Sequence, residues 1–183
     1  MNKIAILFLF LLASNLFGQD LQIKSFDGHI IHGSLLKHEQ PQSNLAIIIA
    51  GSGPTDRDGN NPSIKSDYLK ILANDLNKYG VSSFRYDKRG VAKSLGDLKN
   101  EHQIEFEDFV NDVIGIIKYF KKSDEYNSIT IIGHSEGSLI GMIASQKSEV
   151  DKFISIAGPG EDYLTVLQRQ LSNRAPYIKS MSD

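Results

Sequence analysis

The sequence predicts an α/β protein: a three-layer, doubly wound, mostly parallel sheet with an antiparallel hairpin at its N-terminal side. Three observations carry this. Residues 45–50 are a continuous apolar run, the pattern of a strand buried on both faces, and residues 129–132 and 153–157 read as further strands. Segments of helical periodicity stand between them. Ahead of both, two alternating segments flank Asp27-Gly28, a hairpin signal. Strands alternating with helices give a sheet covered on both faces, and right-handed crossovers restrict its winding.

The hairpin strands are expected at residues 21–26 and 30–36. The run at 45–50 is the first buried strand, and turn residues fill 51–62. Residues 66–79 form a helix, because Tyr68, Leu69, Leu72, Ala73 and Leu76 share one stripe and Gly80 suits its C-terminal end. A strand at 81–86 follows. The next helix spans 104–120, with Phe106, Phe109, Val110, Val113, Ile117 and Phe120 on one face. The strand at 129–132 leads into a helix at 135–145, and the strand at 153–157 ends at Gly158-Pro159-Gly160. Residues 163–171 read as one more amphipathic helix.

Composition narrows the function. The 183 residues are 40% apolar and 23% charged, with a formal net charge of −2 and no cysteine. That is one globular domain without disulfides or thiolate metal sites. No basic block or basic aromatic face is present, so a nucleic-acid partner is not expected. Met1-Asn2-Lys3, an apolar stretch from Ile4 to Ala13 and a smaller, more polar segment to Gly18 have the layout of a secretory signal peptide. The apolar stretch is well short of the roughly 20 residues of a spanning helix. Residues 1–18 are therefore expected to be removed on export to a bacterial periplasm or medium, leaving no stable membrane span.

Gly133-His134-Ser135-Glu136-Gly137 matches G-x-S-x-G where a buried strand becomes a helix. A sharp turn there lifts the Ser135 hydroxyl above the sheet, and the flanking glycines give the turn room. The positive end of the following helix favours a developing oxyanion, with the N–H of Glu136 as one donor. The loop Ala50-Gly51-Ser52-Gly53-Pro54 is the source of a second donor, the N–H of Ser52. Gly51-Ser52-Gly53 lacks the third glycine of a dinucleotide site and the lysine of a phosphate loop. Asp56, Asp58 and Asn60 alternate as in a calcium loop, but no turn glycine or closing glutamate follows, so a solvated turn is expected. Asp87 and Arg89 read as loop-fixing residues, and His134 as a packing residue whose side chain diverges from Ser135.

These pieces resemble the α/β-hydrolase superfamily, in particular the bacterial group akin to serine aminopeptidases and monoacylglycerol lipases. The resemblance rests on residues 51–60, on Arg85-Tyr86-Asp87-Lys88-Arg89-Gly90 and on the Ser135 motif. It implies that Ser135 is a nucleophile and that Ser52 and Glu136 give oxyanion N–H groups. It implies no metal or organic cofactor, and a small-molecule ester or peptide as substrate. Residues 19–160 correspond to the N-terminal part of such a domain, and residues 161–183 to the start of a lid or inter-strand insertion. Ala92 departs from the pattern, which usually has a glycine there.

The triad of this fold runs Ser, then Asp or Glu, then His. The five histidines are His29, His32, His38, His102 and His134, and none follows Ser135. The expectation is therefore a hydrolase fragment lacking its acid and histidine, inactive alone, with the strand at 153 left as an apolar sheet edge and the chain poorly soluble. The alternative is a non-catalytic binding module or half-domain completed by another chain.

Overall fold

A computed structural model describes residues 18–96 and 104–162, together with positions 165, 166, 168, 169 and 172. Residues 1–17 of the expected signal peptide, His102 and most of the expected lid segment lie outside the described residues. The elements are β1 (Gln19–Lys24), β2 (Ile30–Leu36), β3 (Asn44–Ile49), α1 (Tyr68–Lys78), β4 (Val81–Tyr86), a 3-10 turn (Ala92–Ser94), α2 (Phe106–Ser123), β5 (Ile129–His134), α3 (Glu136–Lys147) and β6 (Lys152–Ile156). They form one six-stranded sheet in the order β1-β2-β4-β3-β5-β6. β1, β2 and β4 pair antiparallel, and β4, β3, β5 and β6 run parallel. The expected α/β architecture with its N-terminal hairpin is the one found.

β3 shows why an unbroken apolar run was needed. Leu45, Ile47 and Ile49 point to one face, where Val110, Ile116 and Ile117 of α2 and Ile140 and Ala144 of α3 pack. Ala46, Ile48 and Ala50 point to the other, against Leu69 and Ala73 of α1. Each of these Leu or Ile side chains contributes about 2 kcal/mol by leaving water. β6 is the outer strand of the described sheet, and Ile154 and Ile156 are 46% and 39% exposed there. Among the described residues, no helix is long and apolar enough to cross a membrane.

The boundaries differ from expectation where polar side chains intervene. The hairpin turn is wider than two residues: Ser25 N–H donates to His29 C=O at 2.8 Å. Ser25 Oγ donates to Asp112, and Asp27 binds Arg89, so the turn is drawn into a polar network instead of continuing the strand. Helix α1 starts at Tyr68 because Asn60 Oδ1 accepts the N–H groups of both Ser66 and Asp67. Helix α2 starts at Phe106, where Glu105 and Asp108 form a reciprocal capping box. The loop with alternating acids is a hydrogen-bonded knot, not a solvated turn. Asp56 Oδ1 accepts the N–H groups of Asp58 at 2.9 Å and Asn60 at 2.8 Å.

Ala92 occupies its glycine-like position in the left-handed region, at φ 45°. A Cβ there is strained by about 1–2 kcal/mol. Ala92→Gly is therefore expected to stabilise the protein by about 1 kcal/mol after the added freedom of the unfolded chain is subtracted. A rise in the urea midpoint at unchanged slope is the readout; a fall contradicts it.

Candidate active site

β5 ends at His134 and α3 starts at Glu136, so Ser135 makes the whole turn alone. Its φ of 53° and ψ of −120° lie outside the regions that a residue with a Cβ favours. Surrounding bonds hold it there. Ser135 N–H donates to Ile156 C=O at 2.9 Å, and Ser135 C=O accepts from Ser138 N–H at 2.9 Å. Ser138 Oγ donates to Gly133 C=O at 2.5 Å. A Cβ on Gly133 would sit 2.3 Å from Gly137 O, and one on Gly137 would sit 2.5 Å from Ile49 O. Both glycines are thus required by close backbone approach.

The β3 loop meets this turn from the neighbouring strand. Ile49 pairs with Gly133, which brings the two strand ends side by side. A Cβ on Gly51 would lie 3.4 Å from Ser135 Cβ and 3.1 Å from His134 Nδ1. The next residue, Ser52, is exposed, and its C=O accepts from Thr55 Oγ1 at 3.0 Å. The N–H of Ser52 has no acceptor among the described residues. The N–H of Glu136 opens α3 and by helix geometry has no intrahelical acceptor. Two unpaired amides and the positive end of a helix therefore flank the serine.

His134 does diverge from Ser135. Its Nδ1 shares a 3.0 Å hydrogen bond with Tyr68 Oη, and the two rings meet edge to face at 5.0 Å. Burial lowers the His134 pKa below its ordinary value. Burial raises the Tyr68 phenol, with the Gly51 N–H acting in the opposite direction. Among the described residues, Ser135 Oγ has no hydrogen-bond partner. His29 is occupied elsewhere, with Nε2 2.9 Å from Ser94 O.

The segment after β4 is buried and charged. Asp87 accepts Arg57 N–H at 2.8 Å and pairs with Arg57 Nη2 at 2.7 Å. Arg89 pairs with Asp112 Oδ1 at 2.7 Å and with Asp27, whose carboxyl it holds down at about 2. Both residues fix the loop, as expected. Lys88, between them, is only 2% exposed; its Nζ donates to Glu136 Oε2 at 2.7 Å and lies 5.2 Å from the Phe109 ring centroid. A cavity of about 240 Å³ opens here, lined by Gly53, Pro54, Val91, Phe109 and Glu136 among others. A larger one of about 440 Å³ lies beside α1 and β2, and none of Ser52, Ser135 or Glu136 lines it.

Tyr68, Lys88 and Asp112 are the residues that sequence reasoning missed. Tyr68 passed as a core residue on the α1 stripe. Asp112 had a readable signal, a carboxylate three residues after Phe109 and beside Val113 on the apolar stripe of α2. For Lys88 there was none.

The architecture is shared with solved α/β hydrolases. The α/β hydrolase GrgF from Penicillium superposes with a TM-score of 0.65 at 20% identity, covering 88% of this chain and 55% of that one. An α/β serine hydrolase without lid from Xanthomonas campestris gives 0.62 at 19%, covering 80% and 64%. An esterase from Exiguobacterium antarcticum gives 0.59 at 17%, covering 78% and 46%. The chain thus spans about half to two-thirds of these structures, and at such identities they establish the fold. No curated protein matches the sequence. Residues 65–169 match the family described as serine aminopeptidase, S33. That match covers more than half of the sequence, from just before Tyr68 to beyond the Ser135 elbow, and by it the chain belongs to this family of α/β hydrolases.

Proposed function

We propose that the protein is a serine hydrolase that cleaves carboxylic esters or short peptide amides through an acyl-enzyme on Ser135. Ser135 Oγ attacks the carbonyl carbon, and the carbonyl oxygen becomes an oxyanion between the N–H groups of Ser52 and Glu136. Collapse expels the alcohol or amine, and water then releases the acid. In the full-length protein a downstream histidine, none of the five in this sequence, takes the Ser135 proton and returns it to the leaving group, and an acid orients that histidine. No step calls for a metal or organic cofactor. The strained Ser135 backbone between two glycines, at φ 53°, carries this reading. The layout of residues 1–18 supports a site of action outside the cytoplasm.

A fluorophosphonate tests the reading, because it phosphonylates only an activated serine. Protein isolated from its source is expected to gain one adduct, on the proteolytic peptide carrying Ser135. A cooperatively folded protein whose Ser135 stays unlabelled defeats the proposal.

A further inference from the structure

The cavity that reaches Glu136, the residue after Ser135, is walled by apolar groups, Pro54, Val91, Ile104 and Phe109, and contains three charged residues; Ser135 itself does not line it. Each charge is compensated. Arg89 is paired with two carboxylates, Asp27 and Asp112. Lys88 is neutralised by Glu136, at 2.7 Å, with both side chains largely buried. Lys88 uses Glu136 Oε2, and among the described residues the other carboxylate oxygen has no hydrogen-bond partner. A buried ion pair contributes little to stability over an apolar pair of the same volume, whereas removing one partner exposes a charge with no counterion. Here the charge so exposed is one residue from the nucleophile and on the pocket wall.

We propose that the Lys88–Glu136 pair sets the charge selectivity of the substrate pocket. Intact, it presents a neutral wall and admits an uncharged acyl or leaving group. Glu136 alone is a binding charge for a cationic group, and Lys88 alone is one for an anionic group. This rests on the hydrolase reading and adds the substrate class, namely esters or amides whose group in this pocket carries no charge. Lys88 also has an electrostatic effect on the chemistry. An unpaired carboxylate beside the oxyanion would raise the barrier for every substrate, and the ammonium cancels it. Both are specificity and positioning effects; the residues donate no proton in the reaction.

The test uses the full-length protein and three p-nitrophenyl esters of matched acyl length, one alkyl, one ending in an ammonium and one ending in a carboxylate. Three phosphonate probes with the same end groups accompany them, because their reaction with Ser135 needs no deacylation. The wild-type protein is expected to prefer the alkyl member by on the order of tenfold in kcat/KM and in labelling rate. Lys88→Met is expected to raise the cation-to-alkyl ratio on the order of tenfold. Glu136→Gln, which is nearly isosteric and keeps the backbone N–H, is expected to raise the anion-to-alkyl ratio similarly. Lys88→Arg keeps the charge and the wild-type ratio. A purely structural pair would lower all three substrates together and leave the ratios fixed, and that result overturns the inference. If Lys88→Met does not fold, Glu136→Gln decides alone. A folded wild-type protein that reacts with none of the six compounds fails at the hydrolase reading itself, a different result from unchanged ratios in an active enzyme.

Discussion

In the full-length protein, Ser135→Ala is expected to lower ester turnover by on the order of 10⁶-fold, with almost no change in folding stability. The size follows from the step removed. Without Oγ no acyl-enzyme forms, and loss of the serine disables the base that serves it, so only binding and oxyanion stabilisation remain. The neutral effect on stability follows from the local geometry. Among the described residues Ser135 Oγ has no hydrogen-bond partner, so its deletion leaves no buried group unpaired. The backbone strain at φ 53° persists with alanine. Ser135→Gly removes that strain as well and is expected to be inactive but about 1 kcal/mol more stable than wild type. The pair of variants separates two explanations of the turn. A functional elbow loses activity and gains stability on going to glycine. A merely structural turn leaves activity intact in both, and a residual rate within tenfold of wild type for Ser135→Ala would falsify the nucleophile assignment.

How much of this was readable in advance depended on distance along the chain. The strand at residues 45–50 and the G-x-S-x-G turn are local: apolar period, glycine spacing and the change from strand to helix all lie within about ten residues. The sequence therefore located the sheet, the serine and the loop that meets it. The ion pairs are long-range. Lys88 meets Glu136 across 48 residues, and Tyr68 meets His134 across 66. A lysine in a turn usually extends into water, and nothing near Lys88 announces that its side chain reaches Glu136 at the end of β5, two strands away across β3, with the Phe109 ring centroid 5.2 Å from its Nζ. The element boundaries missed for a related reason. Ser66, Asp67 and Ser25 looked like helix or strand residues until Asn60 and Asp112 claimed their polar groups. Local propensity is a weak preference, of a few tenths of a kcal/mol, and one buried hydrogen bond outweighs it.

Gly137→Ala is expected to be strongly destabilising. A Cβ at that position would lie 2.5 Å from Ile49 O and 2.6 Å from Ala50 O, both backbone atoms. Neither can yield, because β3 is hydrogen-bonded to β4 on one side and β5 on the other. Helix α3 must then move off the sheet by ~1 Å, and overpacking of this kind costs on the order of 3 kcal/mol. The displacement also carries the Glu136 N–H and Ser135 out of register with the β3 loop. A misplacement of that size lowers kcat/KM on the order of 10²-fold. Gly115→Ala is the control. Gly115 lies within α2, and nothing stands within 4 Å of its added Cβ. There the better helix propensity of alanine is expected to stabilise the protein by about 0.5–1 kcal/mol without changing activity. Opposite signs for the two alanines, read as urea midpoints, tie the second glycine of the motif to contact with β3. Equal shifts would mean that α3 has room to spare, and the geometry that holds Ser135 in its strained conformation would then need another cause.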